Sequence, residues 1–406
     1  WGSDGKGACE LEGLTLALIQ AYSLGMQMNA APATPSVIAW AIRESGFSPS
    51  ALATLLGRSQ SELEGWIKGE PLGLADLEDL AKAVERPLAA FFLPKPPESS
   101  GPAVKFRSLS SANGRALNPE ERRRIREAAR LQEVLSWIAR EMQGPVLDVP
   151  HFSTRRDASE CGESLRLRLG VAVNTQFAWR SPWEALSRWR EAVEAMGVTV
   201  LMFPMGEEAC RGFSIWDDAA PLVAINTAWL PEARLFTLFH ELAHLVTRTN
   251  SACAEDAAPR SSNAGDRTER WCERVAAAAL MPADALQAAM NGMTAGDVDL
   301  STVSRIATQF RVSRRAAALR LIECKKASWP LFRSIPPHSD RQQSGGGGSG
   351  LNRIELRRQW YGLRTMMTFR EALRRDVIGA AEVAEHLGLS ADALRTSGSD
   401  AVSRGD

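Results

Sequence analysis

Apolar positions along the chain follow two periods, and the places where they switch mark its organisation. Across 35–93 the period is helical and short, so 36–44, 50–56, 59–68, 74–84 and 88–93 read as five small helices. Within Gly46-Phe47-Ser48-Pro49, Ser48 is the expected cap of the second helix and Pro49 its first residue. Pro94-Lys95-Pro96-Pro97 and Ser99-Ser100-Gly101-Pro102 then interrupt every pattern. A long helix is expected from Asn118-Pro119 to about Met142. Beyond 145 helices and strands mix. Residues 183–196 form an amphipathic helix, while 198–203, 212–216 and 222–226 alternate or run apolar, predicting a small antiparallel sheet. A helix follows Pro231, a loop of Ser, Ala and Asp covers 251–266, and a second helix spans 267–279. A Pro- and Gly-rich linker at 331–350 leads to a helical segment at 351–396, and 397–406 read as a disordered tail.

Composition narrows the class without naming it. The 406 residues suit two to three domains, and 45% hydrophobic with 24% charged residues is ordinary for a globular protein. Forty-eight basic and 48 acidic residues cancel, so no global field points to nucleic acid or membrane. Six cysteines without a C-x-x-C pair read as reduced cytosolic thiols, which predicts a cytoplasmic protein. The apolar stretch 11–28 is too short and too interrupted to span a membrane. Residues 1–30, opening on Trp1, read as leader- or tag-like sequence.

The chemistry is concentrated in Phe239-His240-Glu241-Leu242-Ala243-His244. Residues four apart share one face of a helix, so the two imidazoles of H-E-x-x-H can bind one ion. The stretch is otherwise apolar, and burying three polar side chains there without a shared purpose would cost about 1–3 kcal/mol each. Zinc needs a third protein ligand. The remaining histidines, His151, His338 and His386, offer no spaced third imidazole, so a carboxylate on the next helix is expected. There Glu269 and Glu273 share a face: Glu269 is the favoured ligand and Glu273 the favoured orienting partner of a ligand histidine. Asp266 and Cys272 compete for the ligand role. Glu241 is the expected general base, accepting a proton from water and returning it to the leaving amine. Arg211 is a possible oxyanion partner, and strand 222–226 could pair at its edge with an extended substrate.

Three stretches repeat a second pattern, Ala followed six residues on by Ser and ten on by an apolar residue: 53/59/63, 307/313/317 and 384/390/394. A small Ala permits a close helix crossing and Ser caps the second helix, as in a helix-turn-helix. In the first, Gln60 and Ser61 would face bases, with Arg58 and Lys68 beside phosphates. Charge argues the other way, since 35–95 hold six basic and eight acidic residues. Residues 105–140 hold nine basic and four acidic residues, either a solvated helix face or a nucleic-acid or partner contact.

The order helix-turn-helix, Arg211-Gly212-Phe213-Ser214, His240-Glu241-Leu242-Ala243-His244, Glu269-x-x-Cys272 and Leu280-Met281-Pro282 closely resembles the ImmA/IrrE family of zinc metallopeptidases with an N-terminal XRE-type helix-turn-helix. The resemblance covers about 35–396. It implies Zn2+ on His240, His244 and Glu269; this chain has Glu273 where the family carries Asn or Asp. The implied fold is α+β and mostly helical. A five-helix DNA-binding-type domain at 35–95 is followed by a linker and basic helix at 96–142. A zincin-like peptidase domain with a small antiparallel sheet then occupies 145–330. The implied partner is a protein substrate, a repressor or toxin–antitoxin component encoded nearby, with DNA as a second. The alternative is a transcriptional regulator whose peptidase domain serves as a binding scaffold.

Overall fold

The computed structural model describes residues 31–97, 117–144, 147–249, 251–253, 264–294, 297–336 and 352–396. The leader-like stretch, the first part of the basic segment, the expected linker from 337 onward and the tail lie outside them, whereas residues 331–333 of that linker are helical and Ile335 is buried. The chain divides into two compact units, Trp1–Glu98 and Ser99–Asp406. No helix among the described residues is long and apolar enough to cross a membrane.

The first unit is α1 (Pro35–Ser45), α2 (Pro49–Leu56), α3 (Gln60–Lys68), α4 (Leu74–Ala83) and a 3-10 turn, Leu88–Phe92. Val37, Leu52, Leu63, Leu77, Leu80 and Phe91 are fully buried and form its core. Ser48 accepts from the Ala51 amide and Pro49 starts α2, as the turn chemistry predicts. The fifth expected α-helix is instead a 3-10 turn: Pro87 precedes it and only five residues are available to close it.

The second unit opens with α5 (Pro119–Glu141), α6 (Ala158–Arg168), α7 (Val173–Ala178) and α8 (Pro182–Ala195). Strands β1 (Thr199–Phe203), β2 (Gly212–Ile215) and β3 (Leu222–Asn226) follow, then α9 (Pro231–Val246), β4 (Ser251–Cys253) and α10 (Ala264–Leu280). After them come α11 (Ala283–Ala289), α12 (Leu300–Phe310), α13 (Arg314–Glu323), α14 (Trp329–Arg333), α15 (Arg353–Arg374), α16 (Ala380–Leu387) and α17 (Ala391–Thr396). The strand order is β1-β3-β2-β4. The sheet is mixed, not antiparallel as expected: β3 runs parallel to β1, Thr199 opposite Leu222, and antiparallel to β2, Gly212 opposite Ile225. That topology also corrects the expectation for substrate pairing. β3 is paired on both sides and has no free edge; the strand beyond β2 is β4, which lay within a predicted loop.

Every residue of β1, β2 and β3 is buried, so both faces of the sheet are covered. The period of two sorts the side chains. Val200, Met202, Val223 and Ile225 pack in the core that holds Leu235, Leu238, Phe239 and Leu242 of α9. Leu201, Phe203, Phe213, Leu222 and Ala224 share the opposite core with α5, α15 and α16 through Ile125, Leu135, Tyr361, Phe369 and Val383. Tyr361 donates to Glu127 at 2.8 Å, tying α15 to α5.

The basic helix is thereby part of the fold. Arg124 is buried, paired with Glu120 at 3.0 Å and Glu127 at 2.8 Å, and lies over the Phe203 and Trp360 rings. Arg140 pairs with Asp217 at 3.4 Å. These arginines answer carboxylates and aromatic faces of the same unit.

All three Ala–Ser patterns are tight helix corners. Gly57, Arg311 and Gly388 take left-handed conformations at φ of 63°, 57° and 63°. The alanine carbonyl accepts the bond closing each corner: Arg58 N to Ala53 O at 2.9 Å, Val312 N to Ala307 O at 3.0 Å, Gly388 N to Ala384 O at 3.0 Å. Ser59, Ser313 and Ser390 each cap the next helix at 3.2 Å. The second corner is internal scaffolding, because Ala316, Ala317, Ala318 and Leu321 of α13 are buried in the main core.

Candidate metal centre

Helix α9 carries H-E-x-x-H through the middle of the second unit. From Thr237 to Val246 every residue is buried, which suits a helix apolar on most of its circumference. Trp189 of α8 meets Phe239 edge-on at 4.8 Å, and Trp179 meets Trp189 in the same way at 5.6 Å. On the sheet side, β2 approaches so closely that a Cβ on Gly212 would sit 2.6 Å from Thr237 Cγ2, 2.8 Å from the Ala224 carbonyl oxygen and 3.4 Å from Glu241 Cγ. A glycine inside a strand marks such an approach. Gly212→Ala is therefore expected to push β2 and α9 apart, lowering unfolding free energy by about 1–3 kcal/mol. Urea denaturation measures this; an unchanged midpoint would contradict the close approach.

Helix α10 brings the third donor. It crosses α6 at Gly162, where a Cβ would meet the Val275 carbonyl oxygen at 2.6 Å and Ala278 Cβ at 2.7 Å. The Ala276–Ala279 run and Gly162 let the two helices touch and so set the position of α10. Trp271 Nε1 donates to the Arg156 carbonyl at 2.9 Å, a second anchor close to Glu269.

The result is one cluster, His240, His244 and Glu269, whose ligand atoms lie within 4.8 Å of one another. His240 Nε2 is 3.2 Å from Glu269 Oε2, His244 Nε2 is 3.4 Å from Glu269 Oε1, and the two Nε2 atoms are 3.2 Å apart. Ligands about 2.0–2.1 Å from a tetrahedral ion stand roughly 3.3–3.4 Å from each other. The three donors already have that spacing, and two imidazole nitrogens with one carboxylate are a donor set for a divalent ion such as zinc. Both histidines are buried, while the Glu269 side chain is 31% exposed.

Electrostatics bind the three together. Burial pushes the Glu269 carboxyl up, but hydrogen bonds to and charges on both histidines hold it well below the usual carboxylate range. Burial lowers the His244 pKa, yet the bond to Glu269 and the charges of Glu269 and Glu241 outweigh it and raise the value. Cys272, a competitor for the ligand role, is fully buried and its thiol is pushed far up, first by desolvation and then by Glu269, so it stays protonated. The Asp266 side chain lies outside the described residues.

Glu241 is fully buried on the same helix and close enough to act on the charge of His244. Glu273, half-buried one turn beyond Glu269, acts on Glu323 and Cys272. The group set against the outer nitrogen of His244 is one that sequence reasoning missed: Thr249 Oγ1, 3.3 Å from Nδ1. No periodicity marks Thr249, because it lies beyond the helix end. Arg211 lies over the Trp229 ring at 4.1 Å.

The nucleic-acid candidates Arg58, Gln60, Ser61 and Lys68 are all exposed in the first unit. Two are occupied by acidic neighbours: Arg58 Nε reaches Asp76 at 3.1 Å and Gln60 Nε2 reaches Glu64 at 2.9 Å.

A search of curated proteins finds no match to this chain. Residues 193–322 match the Peptidase_M78 family model, described as the IrrE N-terminal-like domain, a stretch that contains the sheet, both histidines and Glu269, and that suggests a metallopeptidase-type function.

Proposed function

We propose that the second unit is a zinc-dependent metalloendopeptidase that cuts a regulatory protein, and that the first unit is an XRE-type helix-turn-helix which aims it. The observation that carries the reading is the spacing of His240 Nε2, His244 Nε2 and Glu269 beside a buried Glu241. His240, His244 and Glu269 would hold the ion. When bound, it supplies Lewis acidity, lowering the pKa of a coordinated water and polarising a carbonyl. Glu241 takes the proton from the attacking water and delivers it to the leaving amine. An extended peptide would enter along the β4 side of the sheet, since β3 is enclosed.

The partner proposed is a repressor or toxin–antitoxin component encoded nearby, met in the cytoplasm. Free Cys161, Cys272 and Cys324 fit a reducing compartment. The tie between Arg58 and Asp76, with the acidic excess in 35–95, favours protein over DNA as the first unit's contact.

Zinc-loaded protein incubated with a mixed peptide library and followed by mass spectrometry is expected to yield cleavage products. A chelator should abolish them and added Zn2+ should restore them. Cleavage that persists undiminished in chelator would overturn the metal-dependent reading.

A further inference from the structure

We infer that the turn ending helix α9 is a positioning device for the metal site, in which the Thr249 hydroxyl fixes the ring of His244. The inference rests on the metal-centre reading above. Helix α9 stops in a left-handed corner: Arg248 adopts φ of 59°, and the Thr249 amide returns to the His244 carbonyl at 3.1 Å. A non-glycine residue rarely takes that conformation, so something must hold it. Arg248 stacks over the Trp216 ring at 3.6 Å and donates to the Val149 carbonyl at 3.0 Å. The corner carries Thr249 back over the last turn of the helix. Its Oγ1 then lies 3.3 Å from His244 Nδ1, 3.2 Å from the His244 carbonyl and 2.8 Å from Thr247 Oγ1.

The hydroxyl has one proton and two lone pairs. Donating its proton to the His244 carbonyl leaves it free to accept from Nδ1–H. With the proton on Nδ1, the Nε2 lone pair faces Glu269 and His240, where the ion would bind. A ligand histidine commonly relies on such an outer partner, and at His244 a hydroxyl delivered by backbone geometry stands in that place.

The test is zinc affinity, measured by competition with a chelating dye for the intact chain, Thr249→Val and Thr249→Ser. Circular dichroism and melting of the metal-free proteins serve as fold controls. Valine keeps the shape and removes the hydroxyl, so its affinity should fall about tenfold, the low end for losing an outer partner at a site open to water. Serine should stay within about twofold of the unaltered chain, because it keeps the oxygen. Unchanged affinity in Thr249→Val overturns the inference, as does an equal loss in both variants, which would make the methyl group or the fold responsible. If the unaltered chain bound no zinc, the metal-centre reading would fail and this inference with it. Normal binding in both the unaltered chain and the valine variant would sink only the role of Thr249.

Discussion

Glu241→Gln is expected to lower kcat/KM for a cleavable peptide by about 10²–10⁴-fold while leaving zinc stoichiometry and melting temperature unchanged. The substitution keeps the side-chain volume at a fully buried position beneath Gly212, so the packing of α9 against β2 survives. What it removes is the ability to take and return a proton. Steady-state hydrolysis with metal analysis of the same sample separates those effects. Equal turnover by the variant would exclude Glu241 as base. Tight binding of a regulatory protein by the unaltered chain, with no cleavage, would instead make the domain a scaffold.

Glu269→Ala should weaken zinc binding by roughly a hundredfold or more. If three protein ligands share on the order of 10 kcal/mol, losing one removes about 3 kcal/mol. The variant also deprives His240 and His244 of the carboxylate that now bonds both rings. The outcome for the metal-free protein carries its own sign. In the parent, the depressed Glu269 pKa contributes stability above the ordinary carboxylate pKa that is lost as pH falls through the lowered value. The raised His244 pKa contributes stability below the ordinary histidine pKa that is lost as pH rises through the raised value. In Glu269→Ala the first contribution disappears and the second is lost or reversed, because desolvation of His244 is then opposed by Glu241 alone. Metal-free melting should therefore lose stability toward acid pH relative to the parent. Zinc titration of parent and variant, followed by metal-free melts across pH, measures both effects. Unaltered affinity would remove Glu269 from the ligand set.

The parts legible in sequence are those written in local periodicity. The helices of the first unit, β3, and the histidine pair of α9 follow from spacing alone, because a helix or strand sorts its own side chains. Glu269 was reachable because two carboxylates on one helix face narrowed the choice. The parallel pairing of β1 with β3 was not, since strand order depends on contacts between segments that the pattern of each strand does not encode. Thr249 was hidden for a related reason. Its role depends on a left-handed backbone at Arg248, and arginine is not a residue from which that conformation is read. On the basic helix, spacing foretold the pairing of Arg124 with its own helix neighbours but not its aromatic partners, Phe203 and Trp360.

The two-sided cover of the sheet has a consequence for the order of assembly. The face of the sheet toward α9 is closed by segments lying near it in sequence, whereas the other needs Tyr361, Phe369 and Val383, which are synthesised far downstream of β3. During synthesis from the N-terminus, helix α9 can find its sheet while Leu201, Phe203 and Leu222 still lack their last partners. A nascent chain that stalled before α15 would hold the cluster's three donors and yet leave this apolar sheet face covered by α5 alone, a surface for chaperones or self-association. Release of the finished chain, rather than translation of the site itself, is then the moment at which the second unit becomes stable.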